Sequence, residues 1–310
     1  MDRDQKRREF LKTGLITGAA IVSGGPGILL EPSAVYAKTG PDLVIARGDR
    51  PSAITRTAVE ALGGMGKFVK PGAKVVIKPN MSFARKPDEA SNTQPSVVAE
   101  VARMCSEAGA SSIMVLDNVL QDATDCLTLS GIPAACSRIP KTLVSGTIAH
   151  RMFKKVEVPR GAQIKQMEVI KHVLDADVLI AVPVGKSHSS AGVSLSMKGM
   201  MGLIWNRRVF HRSLDTSIVD MVTVLKPHLV VVDGTRILSS GGPSGPGKVI
   251  RLNLVIASED MVAADSQMVA LGTWYGRKFR PNQVSHIRKA AERGLGRMDL
   301  NNLSIKEVKV

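Results

Sequence analysis

Residues 178–183, Val178-Leu179-Ile180-Ala181-Val182-Pro183, form an apolar run with no alternation, closed by a proline and followed by Gly185. A strand covered by helices on both faces reads this way, because neither side of it meets water. Short runs of the same kind recur at 42–47, 74–78, 113–116, 228–233 and 252–257. Stretches of helical period lie between them. Residues 52–68 place Ile54, Ala58, Ala61, Leu62 and Met65 on one face, and 95–108 open at Pro95 and close at Gly109. Further helices are expected over 213–225, 261–271 and 282–293, with a last strand at 303–308. The middle, 121–172, shows little period and is read as a short helix with short strands near 141–144 and 156–158. The alternation predicts an α/β fold, a largely parallel sheet flanked by helices, in two lobes with a site between them. The division falls near Ser145, giving an N-terminal half 38–145 and a C-terminal half 146–310 of one domain, with no internal repeat.

The first 37 residues read differently. Lys6-Arg7-Arg8-Glu9-Phe10-Leu11-Lys12 precede a mildly apolar stretch rich in Gly, Ala and Thr, and Ala34-Val35-Tyr36-Ala37 offers small residues for cleavage. Paired arginines, Phe-Leu-Lys and a weak apolar region resemble a twin-arginine export signal. The expectation is an exported, periplasmic protein starting near Lys38, with the twin-arginine translocase as a partner during export and no membrane span in the mature chain. The chain carries 42 Lys+Arg against 27 Asp+Glu, a net charge of +15, which suits anionic partners. Aromatic residues are only 3%, too few for the stacking platforms of single-strand binding, and the basic residues are spread rather than clustered, so nucleic acid is not the expected partner. Cys105, Cys126 and Cys136 match no zinc or iron–sulfur spacing. Whether Cys126 and Cys136 pair is left open.

Polar side chains recur where strands end: Lys78 and Asn80, Asp117, Lys186 and His188, and Asp233. In a parallel sheet those ends share one edge, where open α/β proteins hold ligands. The stretch 189–196 is small, polar and uncharged, and reads as a linker that brings Lys198 to the same place. Lys198 sits in an apolar Met, Leu and Gly context, where an amine must reach water or an anion. Lys78, Asn80 and Lys198, with backbone N–H groups of the loop carrying Gly241, Gly242 and Gly247, are the expected binders of an anionic small molecule or cofactor. Lys186 and His188 are the candidate catalytic residues, His188 as an acid or base near neutral pH. Asp117, Asp233 and Asp265 are candidate ligands for a divalent metal such as Mg²⁺, without a spacing signature, or residues that orient the lysines; Asp117 and Asp233 have the further alternative of capping the turns that follow them. There is no Walker A loop, dinucleotide fingerprint, nucleophile elbow or His-Glu-x-x-His.

The ordered set of motifs resembles a known family. It comprises Lys78-Pro79-Asn80, Thr93-Gln94-Pro95, Glu107-Ala108-Gly109-Ala110 before Asp117, Pro183-Val184-Gly185-Lys186-Ser187-His188, and Ser194-Leu195-Ser196-Met197-Lys198-Gly199-Met200-Met201-Gly202. Val232-Asp233-Gly234, Gly241-Gly242-Pro243, Gly247, Ala263-Ala264-Asp265 and Gly294-Leu295-Gly296 complete it. Together they resemble the family called domain of unknown function 362. The resemblance implies fold and site more than a reaction. Family members usually carry Lys-Asn where this chain has Lys198-Gly199, and some carry ferredoxin-like cysteine clusters that this chain lacks, so no iron–sulfur cluster is expected. Three readings follow: an enzyme acting on an anionic small molecule, a periplasmic binding or accessory protein using the same pocket without turnover, and a structural, partner-binding protein whose polar residues form a buried salt-bridge network.

Overall fold

The computed structural model describes residues 40–310. The expected signal over 1–37 lies outside the described residues. The strands in chain order are β1 (Leu43–Arg47), β2 (Lys74–Pro79), β3 (Ser112–Leu116), β4 (Thr142–Ser145), β5 (Phe153–Glu157), β6 (Gln166–Ile170), β7 (Val178–Val182), β8 (Val184–His188), β9 (Gly192–Ser194), β10 (Leu229–Leu238), β11 (Val249–Ser258) and β12 (Ile305–Lys309). Ten of them make one sheet in the order β12-β1-β11-β10-β7-β2-β3-β4, with β8 on β10 and β9 on β8. β5 and β6 form a separate antiparallel ribbon. Most pairings in the large sheet are parallel; β11 runs antiparallel to both of its neighbours, so the sheet is mixed. Strands from both sides of residue 145 share this sheet.

The period of two along each strand divides the core. Leu43, Ile45, Val76, Leu179, Ala181, Val230 and Val232 face one apolar layer; Val44, Ala46, Val75, Ile77, Ile180, Val182 and Val231 face the other. The second layer is closed by helices Pro51–Ala61 and Pro95–Glu107, each with a proline in its first turn, where the missing N–H costs nothing. The first layer is closed by helices Leu214–Val222, Met261–Leu271 and Ser285–Glu292. The helix expected to run from 52 to 68 stops at Ala61. Gly63 and Gly64 take φ values of 120° and 80°, which end the helix before a short 3₁₀ turn at Met65–Lys67.

The connection from β2 to β3 carries helix Pro95–Glu107 over one face, and the connection from β7 to β10 carries helix Leu214–Val222 over the other. β2 and β7 are neighbours. Their connections therefore part to opposite sides, which opens a crevice at the carboxyl ends of the strands. Pro183 widens it. β7 pairs with β2 up to Val182–Pro79, whereas past Pro183 the chain continues as β8, which pairs with β10 and β9 and no longer with β2. The stretch 189–196, expected as a plain linker, turns back as a hairpin and pairs Ser194 with Lys186. Asp233, expected at a strand end, lies inside β10. A register shift between Gly234 and Arg236 lets that strand run on to Leu238.

All three cysteines are free and buried. Burial pushes Cys105 up to about 12 and Cys136 up to about 11, so both are inert thiols. Among the described residues no helix is long and apolar enough to cross a membrane.

Candidate functional site

The crevice between β2 and β8 holds a cavity of about 430 Å³. Lys78, Asn80, Asp117, Lys186, His188 and Lys198, all chosen from sequence, line it. Lys78, Asp117 and Lys186 are buried at its base, and Leu120, Ser189, Ser190, Arg208 and His211 are exposed around its mouth.

Asp117 is the carboxylate at the base. Its Oδ2 accepts hydrogen bonds from the Met81 N–H at 3.0 Å and the Ser82 hydroxyl at 2.7 Å. Its Oδ1 stands 3.2 Å from Lys78 Nζ, which also donates to the Pro79 carbonyl. Burial holds the Lys78 amine below its ordinary range, and Asp117 opposes that shift. The backbone at Gly202 lies over this pair: a Cβ there would sit 2.1 Å from Asp117 Oδ1 and 2.4 Å from Lys78 Cε. Gly202 thus has no room for a side chain while the ion pair stands.

Lys186 points into β8's buried surroundings with 1% of its surface exposed. Its Nζ donates to the Ser91 carbonyl at 2.7 Å and lies 4.5 Å from the centre of the Phe83 ring. Among the described residues no carboxylate pairs with it directly. Burial lowers its proton affinity well below that of an ordinary lysine, and Lys198 and Lys78 add to the effect. The Lys198 carbonyl accepts from the Met200 N–H, whereas its partly buried amine has no hydrogen-bond or ion-pair partner among the described residues. Burial, reinforced by Arg207 and Lys78, brings it down to about 8.

His188 does not have the acid–base character expected of it. Its Nδ1 accepts hydrogen bonds from the Ser190 and Ala191 N–H groups, both at 3.2 Å, so that nitrogen holds no proton. Burial, then Lys198 and Lys186, drives the ring down to about 3. At neutral pH His188 is a neutral imidazole with its proton on Nε2, a fixed hydrogen-bond donor rather than an acid or base.

The three aspartates proposed as a metal set go to three places. Asp117 is in the cavity. Asp233 accepts from the Gln94 N–H at 2.8 Å, from the Thr235 N–H at 3.0 Å and hydroxyl at 2.6 Å, and pairs with Arg236. Arg236 in turn donates to the Asn92 and Pro87 carbonyls, each at 2.9 Å, so the pair clamps the loop that carries Phe83 and Ser91. Asp265 accepts from the Ser196 and Met197 N–H groups at 2.9 and 3.0 Å and fixes the short turn Ser196–Gly199 that carries Lys198. Burial raises Asp265 to about 6. Two of the three therefore position the cavity's elements. Among the described residues no group of three His, Cys, Asp or Glu side chains could hold a metal ion.

The glycine loop also differs from expectation. The Gly242 N–H donates to the Ser187 hydroxyl at 3.0 Å, and the Gly245 N–H to the Gly241 carbonyl at 3.0 Å. A Cβ at Gly241, Gly242 or Gly247 would meet the Pro246, Ser187 or Ser240 carbonyl at 2.3, 2.0 and 1.8 Å. These glycines let the loop fold onto itself and onto β8. Pro243 and Ser244, not the glycines, reach the cavity wall.

Sequence reasoning missed Arg207, Arg208, His211, Ser82, Phe83 and Ser194. Arg207 matters most. It donates to the Asn118 carbonyl, its Nε is buried without a partner, and burial lowers it. The signal was present as an arginine pair five residues after Gly202 in the motif that supplies Lys198. Arg207 brings to four the cations gathered around one carboxylate.

Fold and site together define an open α/β protein with a lysine- and arginine-lined cavity at the carboxyl edge of its sheet. The chain belongs to the family described as domain of unknown function (DUF362), whose model matches residues 75–270. It is similar to the thylakoid-associated protein sll1697 of Synechocystis sp., with 27% identity over 230 residues covering 68% of this chain and 66% of that protein, just under two thirds of its length. Among solved structures it is similar to the lactate racemase apoprotein of Thermoanaerobacterium thermosaccharolyticum, at 13% identity and a TM-score of 0.48, covering 74% of this chain and 56% of that one. A Thermotoga maritima protein matches at 13% identity and a TM-score of 0.40, covering 72% and 59%.

Proposed function

We propose that the protein is exported and binds an anionic small molecule, bearing a carboxylate or phosphate, in the cavity between β2 and β8. The supporting observation is the charge balance of that cavity: Lys78, Lys186, Lys198 and Arg207 gather around the single carboxylate of Asp117. Taking cations out of water is costly unless counter-charge or hydrogen bonds replace it. Among the described residues the Lys186 amine has one carbonyl partner, the Lys198 amine has none, and Arg207 Nε is unpartnered. An arriving anion supplies what they lack. His188 offers a neutral N–H donor, and the exposed Ser189 and Ser190 at the mouth add hydroxyls. Among the described residues Asp117 is the one carboxylate of the cavity wall, so a divalent ion such as Mg²⁺ would enter as the ligand's counterion rather than in a cage of protein oxygens.

Binding without turnover is the second reading. It is favoured by His188, whose two backbone partners remove it from proton transfer at neutral pH. Thermal unfolding with inorganic phosphate, sulfate, oxalate and phosphorylated and carboxylated metabolites, each with and without Mg²⁺, tests the binding shared by both readings. A ligand that binds only the native state raises stability by about 2.7 kcal/mol at a hundred times its Kd. No shift with any anion would refute both, and turnover of a hit separates enzyme from binder. Export rests on Arg7, Arg8 and the segment after them. Replacing both arginines by lysine should retain the chain in the cytoplasm; continued export would end that part of the proposal.

A further inference from the structure

The three lysines of the cavity are not equivalent. Lys78 is tied to Asp117 and the Pro79 carbonyl. Lys186 is tied to the Ser91 carbonyl and shielded by the Phe83 ring. Among the described residues the Lys198 amine alone of the three has no partner; the residue is partly exposed and is followed by Gly199, which also lines the cavity and where a Cβ would meet nothing within 4 Å. Lys198 and Gly199 thus line one cavity whose wall is open at Gly199. Its charged surroundings are Arg207, Lys78, Lys186 and Asp117, three cations against one anion, with the neutral His188 close by. Desolvation next to other cations is a standard way to keep a lysine unprotonated and nucleophilic.

We propose that Lys198 Nζ forms an imine with the carbonyl carbon of an anionic aldehyde or ketone whose carboxylate or phosphate is held by Lys78, Lys186 and Arg207. This rests on the anion-binding reading above and adds the carbonyl group to the ligand's description. The Nζ lone pair forms the C–N bond as the carbonyl π bond opens onto oxygen. Proton transfer from nitrogen to that oxygen gives a carbinolamine. The hydroxyl then leaves as water, taking the proton that remains on nitrogen, as the nitrogen lone pair closes the C=N bond. Nothing is oxidised or reduced. A fixed N–H donor such as His188 Nε2 suits a carbonyl oxygen that gains charge as the bond forms. The amine's depressed proton affinity, near 8, supports the same reading.

The test uses the full chain with glyoxylate as probe and cyanoborohydride to trap the imine as a carboxymethyl-lysine, located by peptide mass mapping. At pH 7 Lys198 should be modified roughly two-hundredfold faster than exposed lysines such as Lys154 and Lys226, given the larger fraction of free amine at a pKa near 8 than near 10.4. Inorganic phosphate should protect it, and K198R should abolish the site-specific adduct; K198M serves if the arginine variant unfolds. Labelling spread evenly over surface lysines would overturn the imine. Labelling of Lys198 that phosphate does not block would overturn the role given to Lys78, Lys186 and Arg207. Thermal shifts with phosphate and oxalate, which have no reactive carbonyl, keep the two failures apart: shifts without selective labelling sink the imine alone, and absence of shifts sinks the anion site itself.

Discussion

Lys186→Met separates a binding cavity from a structural ion network. The methionine keeps most of the stem's packing and removes the amine. In the unliganded protein two effects oppose each other. The Ser91 carbonyl loses its donor at 2.7 Å, which costs about 1–3 kcal/mol when the group stays buried. Removing a desolvated cation that no carboxylate pairs with is stabilising by a comparable amount, as replacement of buried charges by apolar side chains often is. The net change is expected within about 2 kcal/mol, or a few degrees in Tm for a chain of this size. Ligand binding should suffer much more. A hydrogen bond to a charged group is worth about 1.5–3 kcal/mol, so affinity for oxalate or phosphate should fall roughly 10- to 150-fold. Calorimetric titration of both proteins, with thermal unfolding of the unliganded forms, gives both numbers. Collapse of the folded state in the variant would mean that Lys186 holds the core together and would favour the structural reading. Unchanged affinity in a folded variant would remove Lys186 from the site.

Neighbouring glycines should respond oppositely. Gly202→Ala drives a methyl group to 2.1 Å from Asp117 Oδ1, so it should lower both Tm and anion affinity, whereas Gly199→Ala meets open space and should leave Tm within about 1 °C; thermal unfolding of the two variants decides. The pH dependence follows from Lys198. Its native value near 8 lies below its unfolded value near 10.4, so the unfolded chain holds more protons across that window and unliganded stability should rise with pH there. Oxalate, whose charge is constant in this range, favours the protonated amine, so its affinity should fall as pH rises through 8, with proton uptake on binding measurable in buffers of different ionisation heat. Asp265→Asn replaces one of two carboxylate oxygens capping Ser196 and Met197, and should weaken anion binding by loosening the turn under Lys198 although Asp265 does not line the cavity; titration with oxalate reads this.

Much of the fold was legible because the pattern of short apolar strands and amphipathic helices is local. β1, β2, β3, β7 and helix Met261–Leu271 fall within one or two residues of expectation. The antiparallel placement of β11 was not legible, since strand direction depends on which neighbour a strand finds, not on its own residues. The same holds for the hairpin β8–β9: a run of small polar residues serves equally as linker or ribbon until its partner is known. Six of the residues chosen for the site do meet, because strand ends of a parallel sheet share an edge. Asp233 and Asp265 resembled ligands by residue type alone; their bonds to Gln94, Arg236, Ser196 and Met197 are long-range and leave no mark in spacing. His188 shows the limit in another way. It lines the cavity, but the two N–H groups that fix its tautomer come from a turn that only the fold reveals.

The cations gathered beside Asp117 need an anion. Calorimetric titration of the wild-type chain at pH 7 with oxalate and with oxamide, a molecule of the same shape without charge, tests that need. Saturable one-to-one binding of oxalate, with no heat from oxamide and a large loss in Lys186→Met, is the predicted result. Equal behaviour of the two compounds, or binding untouched by that substitution, would contradict it.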